Sequence, residues 1–163
     1  MRTIRPAAED DVPAILAIHN HVVATSTATF TDRQSTLSER LAWFSERRAQ
    51  ALPVLVAEEA GDVVGFSTYG GFRSFPGYRF SVEHSVHVRS DRQGRGHGSA
   101  LVEALFPLAA AQGLHVMVAA IDAANDGSIR MHERLGFARV GLMAEVGRKF
   151  GRWLDLALLQ RFV

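Results

Sequence analysis

The sequence contains no cysteine, and this absence excludes several kinds of site at once. Without a thiol the chain cannot use thiolate catalysis, hold an iron–sulfur cluster or a cysteine-ligated zinc ion, or form a disulfide. A chain of 163 residues, 47% of them hydrophobic, can bury a sizeable core without such cross-links. We therefore expect one soluble globular domain over residues 1–163, in a reducing, cytoplasmic compartment.

Long apolar runs and an excess of charge of one sign are also missing. The longest apolar stretches, such as residues 116–121, are far shorter than the roughly 18 residues that a membrane span needs. The first five residues lead into acidic residues without the apolar region of a signal peptide. Eighteen basic and 17 acidic side chains leave a net charge of +1, which argues against a dense basic surface for nucleic acid. We expect no membrane and no nucleic-acid partner, and a small molecule is the favoured ligand.

Strand-like and helix-like segments alternate along the chain, which predicts an α/β (α+β) fold. Predicted strands cover residues 3–5, 53–59, 62–69, 81–88, 115–121, 138–143 and 153–160. Predicted helices cover residues 100–112 and 126–135, and two more follow the first strand. One of these begins at the acidic residues 9–11, and the other runs from a capping box at residues 36–39 to near Gln50. The segment 70–80, rich in glycine and aromatic residues, is predicted to be a loop.

A predicted strand leads into a glycine-rich turn at residues 93–98, spelled Gln-Gly-Arg-Gly-His-Gly, and a helix follows. Such a turn presents backbone N–H groups and the positive end of a helix dipole to an anion, and Arg92 and Arg95 add charge. The turn predicts a phosphate site, with a purely structural tight turn as the alternative. A Walker A loop is excluded because no Gly-Lys-Ser/Thr tripeptide occurs. A dinucleotide fingerprint fits poorly, since Ser99 or Leu101 would fill its third glycine position.

Two motifs resemble signatures of a known superfamily. Gln-x-x-Gly-x-Gly at residues 93–98 resembles the coenzyme A diphosphate turn of the GCN5-related N-acetyltransferase (GNAT) superfamily, and residues 125–137 are similar to its second signature. Segments 72–75, 82–86 and 147–153 look like the phosphinothricin and methionine sulfoximine N-acetyltransferase subfamily. The resemblance implies a GNAT-like mixed, mostly antiparallel central sheet flanked by helices, acetyl-CoA as co-substrate, and a homodimer.

The resemblance also indicates which residues would bind the two substrates. The cofactor would bind along the fourth strand, the glycine turn and the second signature, at Val86, His87, Val88, Gln93, Gly94, Arg95, Gly96, His97, Gly98, Ser99, Asn125 and Ser128. The amine acceptor would bind at Arg73, Ser74, Phe75, Glu83, His84 and Ser85. Phe30, between two threonines after the first helix, is predicted to add an apolar wall.

Acetyl transfer to an amine needs the amine in its neutral form, so a general base is useful. Glu83 is the predicted base, with a solvated strand carboxylate as the alternative. His132 stands where many superfamily members have a tyrosine, and we predict that it protonates the leaving thiolate. A packed, hydrogen-bonded histidine is the alternative. A backbone N–H of the fourth strand would polarise the thioester carbonyl.

Arginines beside aromatic residues are the candidates for recognising the acceptor. Arg73 and Arg79 lie among four aromatic residues, a setting that suits capture of a carboxylate or phosphinate group. The alternative is a surface loop with solvated arginines. Arg152 and Trp153 are predicted to complete the site of a neighbouring subunit, with a core tryptophan and a solvated arginine as the alternative.

The seven histidines do not form a metal constellation in the sequence. His84 and His87, three residues apart on one strand, should face opposite sides, and no His-Glu-x-x-His motif occurs. We therefore expect no metal ion.

The leading hypothesis is an acetyl-CoA-dependent N-acetyltransferase that acetylates the α-amine of a small amino-acid analogue, such as phosphinothricin, methionine sulfoximine or methionine sulfone. One alternative keeps the cofactor and changes the acceptor to a protein N-terminus or a polyamine. Another is a coenzyme A-binding module without activity, against which Glu83 and the aromatic loop argue.

Overall fold

The computed structural model of the chain describes residues 2–163; Met1, the first residue of the predicted domain, lies outside the described residues. The strands of the described part are β1 (Arg2–Pro6), β2 (Val54–Glu59), β3 (Asp62–Gly71), β4 (Ser81–Val88), β5 (Val116–Asp122), β6 (Ala138–Lys149) and β7 (Arg152–Phe162). They form one sheet in the order β1-β2-β3-β4-β5-β7-β6. Neighbouring strands are antiparallel, except for β4 and β5, which run parallel.

Helices connect the strands on both faces of this sheet. Between β1 and β2 lie α1 (Val12–Thr25) and α2 (Leu37–Ala49), between β4 and β5 lie α3 (His97–Glu103) and α4 (Leu105–Ala111), and α5 (Asp126–Arg134) precedes β6. The predicted capping box begins α2: the Thr36 hydroxyl accepts from Glu39 N–H, and the Glu39 carboxylate accepts from Thr36 N–H. The predicted fold class, a mixed and mostly antiparallel sheet flanked by helices, is confirmed. The extent of the domain over residues 1–163 stays a prediction.

Each face of the sheet has its own apolar core. The core under α1 and α2 contains Val12, Ile15, Ile18, Phe44, Val54, Val56 and Phe66. The core under α3, α4 and α5 contains, among others, Leu55, Ala57, Val64, Leu101, Leu105 and Ile129. Residues 54–57 of β2 alternate between the two cores, because successive side chains of a strand point to opposite faces.

The helix predicted over residues 100–112 differs from the structure in two ways. It begins earlier, at His97, directly after the glycine turn. It is also divided at Ala104 into α3 and α4. Pro107 explains the division, because it has no N–H to donate to the Glu103 carbonyl one turn earlier.

The continuation of β3 and β6 beyond their predicted ends affects the site. Gly70 and Gly71 belong to β3, where they pair with Glu83 and Val82, so the predicted loop at 70–80 begins later. β6 passes its predicted end at residue 143 and reaches residue 149, with register shifts at 139–141 and 143–147. Such irregularities break the alternation of side chains on which the prediction depended.

The parallel strands β4 and β5 pair only at their beginnings. The register joins residues 81–83 to residues 116–118, although β4 continues to Val88 and β5 to Asp122. The two strands therefore separate and leave a wedge-shaped opening in the sheet. Within residues 2–163, the second half of β4 has no strand partner on the side of this opening. Backbone polar groups there are therefore open to a ligand, apart from the Val88 carbonyl, which accepts from Nε2 of Gln93 at 3.4 Å.

Candidate active site

The opening between β4 and β5 continues into a cleft of about 910 Å³, a size typical of small-molecule sites. The walls come from the end of α1 and the loop after it, from β4, from the glycine turn, from the end of β5 and from α5. Structural elements that are far apart in sequence therefore meet around one space.

Most of the predicted site residues line this cleft. The predicted cofactor residues in its walls are Val86, His87, Val88, Gln93, Gly94, Gly96, His97, Gly98, Ser99, Asn125 and Ser128. The predicted acceptor and catalytic residues in its walls are Phe30, Glu83, His84, Ser85 and His132. The structure thus brings both predicted groups together.

The predicted acceptor residues Arg73, Ser74 and Phe75 are exposed and lie outside the walls of the cleft. The guanidinium carbon of Arg73 lies 5.3 Å from the ring centroid of Phe72, and Phe75 is 72% exposed. β3 and β4 pair as far as Gly71 and Val82, and the segment 72–80 connects the two strands beyond their ends. The predicted clamp of the acceptor is therefore not formed within one chain.

Arg95, predicted to bind the cofactor, also lies outside the walls of the cleft. Its guanidinium lies 3.8 Å from the carboxylate of Glu59, which also approaches the guanidinium of Arg92 at 3.5 Å. Arg92, in contrast, lines the cleft. One acidic side chain therefore organises both arginines, and Arg92 is the one that adds positive charge to the wall.

The glycine turn has the geometry that an anion requires. Gly94 and Gly96 have φ angles of 74° and 80°, in the left-handed region that favours glycine. Gly96 is the N-cap of α3, and the first hydrogen bond of the helix runs from Ala100 N–H to its carbonyl. The backbone N–H groups of residues 97–99 therefore have no partner inside the helix. The turn is open, since a Cβ added at Gly94 would meet no described atom within 4 Å.

His97, at the start of α3, is a buried residue of the cleft wall. Neither ring nitrogen has a hydrogen-bond partner within residues 2–163. Burial lowers the pKa of His97, which favours the neutral ring. Nε2 of His97 instead lies 3.7 Å from the carboxylate of Glu59. The open turn and the free edge of β4 suit an extended ligand that has a phosphate end and an amide-containing arm.

Glu83 lies where β4 and β5 begin to separate, opposite Gly70 on β3 and Val118 on β5. It shares a face of β4 with His87, whose ring centroid lies 6.4 Å from that of His19 on α1. Glu83 therefore points to the face that α1 and the following loop cover. The cleft walls partly desolvate the carboxylate and raise its pKa, which makes it a stronger base than an ordinary glutamate.

His84 points to the opposite face of β4, where its ring stacks on His132 of α5. The ring centroids are 5.0 Å apart, and the two Nε2 atoms are 3.1 Å apart. Nδ1 of His132 lies 2.7 Å from the carbonyl oxygen of Ser128, which can only accept a hydrogen bond. Nδ1 of His132 therefore carries the proton, and in a neutral ring Nε2 accepts from Nε2–H of His84.

This tautomer counts against the predicted role of His132 as the direct proton donor. The single proton of a neutral His132 is bound to the carbonyl of Ser128, so its Nε2 has none to give. A second proton is disfavoured because burial lowers the pKa of His132, and burial lowers that of His84 to about 3. The packed, hydrogen-bonded alternative describes His132 better, and proton donation to the thiolate stays a prediction to be tested.

The sequence reasoning missed the wall that comes from the end of α1, the loop after it and the end of β5. These residues include His21, Val22, Thr25, Ser26, Ala28, Thr29, Ile121 and Asp122. Asp122 is buried, and its carboxylate accepts from the hydroxyl of Thr27 and from Ala124 N–H. The run of small residues at 25–29, most of them polar and directly after the predicted first helix, was the signal that could have indicated this wall.

The two histidines of β4 lie in separate environments. His84 contacts His132 on α5, and His87 faces His19 on α1, as the alternation of the strand predicts. Within residues 2–163, no group of three or more histidine, aspartate or glutamate side chains is arranged to hold a metal ion. In the same part of the chain, no helix combines the length and the apolar character that crossing a bilayer requires.

Comparison with known proteins agrees with this geometry. The L-methionine sulfoximine/L-methionine sulfone acetyltransferase of Pseudomonas aeruginosa is 51% identical over 159 residues, which cover 97% of this chain and 92% of that protein. The structure of a phosphinothricin acetyltransferase from Sinorhizobium meliloti in complex with acetyl-CoA has a TM-score of 0.95 and 36% identity, covering 99% of this chain and 88% of the other. That of a ribosomal-protein-alanine N-acetyltransferase from Brucella melitensis has a TM-score of 0.97 and 43% identity, covering 99% of each chain. Residues 15–137 match the acetyltransferase (GNAT) family, and the chain therefore belongs to it.

Proposed function

We propose that the protein is an acetyl-CoA-dependent N-acetyltransferase that acetylates the α-amine of a small amino-acid analogue, such as methionine sulfoximine, methionine sulfone or phosphinothricin. The position of Glu83 carries this proposal. Its carboxylate lies at the point where β4 and β5 separate, in the same cleft as the glycine turn. The names of the similar proteins from Pseudomonas aeruginosa and Sinorhizobium meliloti support the class of acceptor.

The residues present fit acetyl-CoA, which when bound would supply the acetyl group as a thioester. The backbone N–H groups of residues 97–99 and the guanidinium of Arg92 would hold the diphosphate. The free edge of β4 at residues 86–88 would hold the pantetheine arm through main-chain hydrogen bonds, as an added strand does. Asn125, whose side chain caps α5 by accepting from Ser128 N–H at 3.1 Å, would complete the far wall. The predicted cytoplasmic compartment fits such a reaction.

Glu83 would prepare the acceptor for attack. Its carboxylate takes a proton from the ammonium group, directly or through a water molecule, so that the nitrogen gains a free lone pair. The new C–N bond forms as the C–S bond breaks. The nitrogen loses two protons in all: one leaves through Glu83 to solvent, and the other reaches the sulfur, which departs as a thiol. A backbone N–H on the open edge of β4 polarises the carbonyl of the thioester.

A protein N-terminus is the second candidate acceptor, and the similar ribosomal-protein-alanine N-acetyltransferase supports it. The cofactor half of the cleft would be the same in both reactions. Only the wall that Glu83 faces would have to admit a peptide.

We further propose that the protein is a homodimer. β6, β7 and the hairpin between them expose a group of apolar side chains: Val140, Leu142, Met143, Val146, Phe150 and Trp153. This apolar surface is of the kind that subunit contacts cover. Trp153 is 57% exposed, which contradicts the alternative of a core tryptophan. Arg73 and Arg152 remain proposed acceptor contacts. Whether they reach one site from different subunits can be tested by mixing an Arg73 variant with an Arg152 variant.

A thiol-release assay over a panel of amines tests the proposed activity. The panel contains methionine sulfone, methionine sulfoximine, phosphinothricin, a peptide with an N-terminal alanine, and spermidine. We expect kcat/KM for the amino-acid analogues to exceed that for the peptide and the polyamine by about tenfold or more. Acetyl-CoA binding measured by calorimetry, without thiol release for any amine, would show a binding module instead.

A further inference from the structure

The segment after α1, residues 26–31, forms part of the cleft wall and is called the acceptor loop below. Hydrogen bonds fix it to the sheet at two places. The hydroxyl of Thr27 donates to the carboxylate of Asp122 at the end of β5. Lys149, the last residue of β6 and only 4% exposed, donates from Nζ to the carbonyl oxygens of Ser26 at 2.6 Å and Thr29 at 2.9 Å. Lys149 of β6 therefore fixes the backbone on both sides of residues 27 and 28, at the carbonyls of Ser26 and Thr29.

A third fixed point is a contact of the Phe30 ring with the backbone of β6. The ring lies so close to Gly147 that an added Cβ would be 2.6 Å from Cε2 and 3.1 Å from Cγ of Phe30. Any residue larger than glycine would therefore displace the ring or the strand. The φ angle of Gly147 is not in the left-handed region, so space rather than backbone conformation requires glycine at this position.

The acceptor loop lies on the side of the cleft that concerns the acceptor. Phe30 and Glu83 line the same cleft, and Glu83 points to the face of the sheet that α1 and this loop cover. The glycine turn, in contrast, lies beyond the other end of β4. A shift of Phe30 would therefore change the space near Glu83 and leave the diphosphate end of the cleft unchanged.

Building on the proposed function, we propose that Gly147 and Lys149 are positioning residues that set the shape of the acceptor pocket through Phe30. Lys149 holds the backbone of the acceptor loop, and Gly147 provides the space that the ring occupies. The ring then forms an apolar wall for the aliphatic side chain of an amino-acid analogue. Neither positioning residue itself contacts the acceptor.

Gly147→Ala tests this assignment, with Gly141→Ala as a matched control on the same strand. A Cβ at Gly141 would lie 3.8 Å from Cδ1 of Leu158, an ordinary contact. Because a displacement of about 1 Å can cost up to 10²-fold in rate, we expect Gly147→Ala to raise KM for methionine sulfone about tenfold or more. KM for acetyl-CoA should stay within about twofold, and Gly141→Ala should change neither constant.

Two further variants separate positioning from a loss of structure. In a Phe30→Ala background no ring is left to displace, so adding Gly147→Ala should change KM for the acceptor by less than about twofold. Lys149→Met should raise KM for the acceptor and leave KM for acetyl-CoA unchanged. Thermal unfolding identifies folded variants, and the Phe30→Ala pair provides the comparison if Gly147→Ala alone does not fold.

The possible failures are distinct. A wild-type protein without activity on any amine would overturn the proposed function. A wild-type protein with normal activity, together with an unchanged acceptor KM in Gly147→Ala or an equal effect with and without the Phe30 ring, would overturn the positioning role alone.

Discussion

The Nε2 atoms of His84 and His132 lie 3.1 Å apart in the interior of the protein, a distance at which one ring donates a hydrogen bond to the other. Because Nδ1 of His132 donates to the carbonyl of Ser128, Nε2 of a neutral His132 can only accept, and His84 is the donor. Burial lowers the pKa of both rings, so the pair is neutral near pH 7. The arrangement fits two packed imidazoles that support β4 on the face opposite to Glu83.

We expect His132→Phe to retain any alkaline decline in kcat between about pH 7 and 9. A ring whose pKa is lowered from 6.5 has no second proton to donate in that range. The loss in kcat should stay below the roughly 10² to 10⁴-fold that a direct general acid contributes. His115→Phe, at an exposed histidine outside the cleft, is the control. Disappearance of the alkaline limb in His132→Phe alone would show that His132 is the proton donor.

Glu83→Gln should remove the acidic limb of the profile of kcat/KM against pH. The base must be ionised to accept a proton, so activity falls as pH falls through the pKa of Glu83. Because the cleft raises this pKa, the fall should begin at a higher pH than for an ordinary glutamate. Loss of the base should reduce kcat by about 10² to 10⁴-fold. Glu103→Gln, on the exposed surface of α3, is the control and should leave the pH profile unchanged. A wild-type pH profile in Glu83→Gln would exclude Glu83 as the base.

Gly96→Val should weaken the binding of acetyl-CoA, as measured by calorimetry. A β-branched residue at a φ of 80° is strained, and its side chain would obstruct the turn that is proposed to hold the diphosphate. Gly61→Val is the matched control, because Gly61 has a φ of 86° in the β2–β3 turn, away from the cleft. Both variants should lose similar stability, and only Gly96→Val should lose affinity. Equal affinities in the two folded variants would remove the turn from the cofactor site.

Asp11→Asn should lower the free energy of unfolding by about 1–3 kcal/mol at pH 7, because a buried charged acceptor is lost. The Asp11 carboxylate accepts from the two terminal nitrogens of Arg5 at 2.7 and 2.9 Å and from Ala8 N–H at 2.8 Å. Arg5 holds the pKa of Asp11 below its usual value of 3.8. The stabilisation by the ionised Asp11 carboxylate is therefore fully present above the pKa that Asp11 has in the unfolded chain. It is lost as pH falls through the lower pKa that Asp11 has in the folded protein.

Denaturant unfolding near pH 7 and near pH 3 measures this dependence. Asp10→Asn, at the exposed neighbouring carboxylate, is the control and should be nearly neutral. If Asp11→Asn loses the same free energy of unfolding near pH 3 as near pH 7, the ionised Asp11 carboxylate is not the source of the stabilisation.

Trp153→Asp should shift the mass measured by light scattering from that of two chains toward that of one. A charge within the apolar surface of β6 and β7 opposes its burial in an interface. Leu37→Asp, at an exposed apolar residue of α2 outside this surface, should retain the mass of two chains.

Mixed subunits test whether the site is shared. If Arg73 and Arg152 serve the same site from different subunits, mixing an inactive Arg73 variant with an inactive Arg152 variant should restore activity. A fully active monomer, or no recovery after demonstrated subunit exchange, would contradict a shared site.

Local features of this protein were predictable from the sequence because neighbouring residues determine them. The capping box of residues 36 and 39 and the left-handed glycines 94 and 96 depend on contacts and backbone angles within a few residues. The strand alternation that separates His84 from His87 is equally local. The alternation of strand-like and helix-like segments indicated the fold class, the glycine turn indicated a phosphate site, and the family resemblance indicated acetyl-CoA as its ligand.

The acceptor half was decided by the tertiary structure. Lys149 reaches Ser26 across 123 residues of sequence, and His132 reaches His84 across 48. No local pattern encodes such partners, and none indicated that residues 73–75 lie outside the walls of the cleft. The pKa of Glu83 likewise depends on the walls that desolvate it, because the free energy of ionisation is set by the whole surroundings of a group. The sequence by itself therefore determined which chemical groups were available, and the packing of distant elements determined which of them face one another.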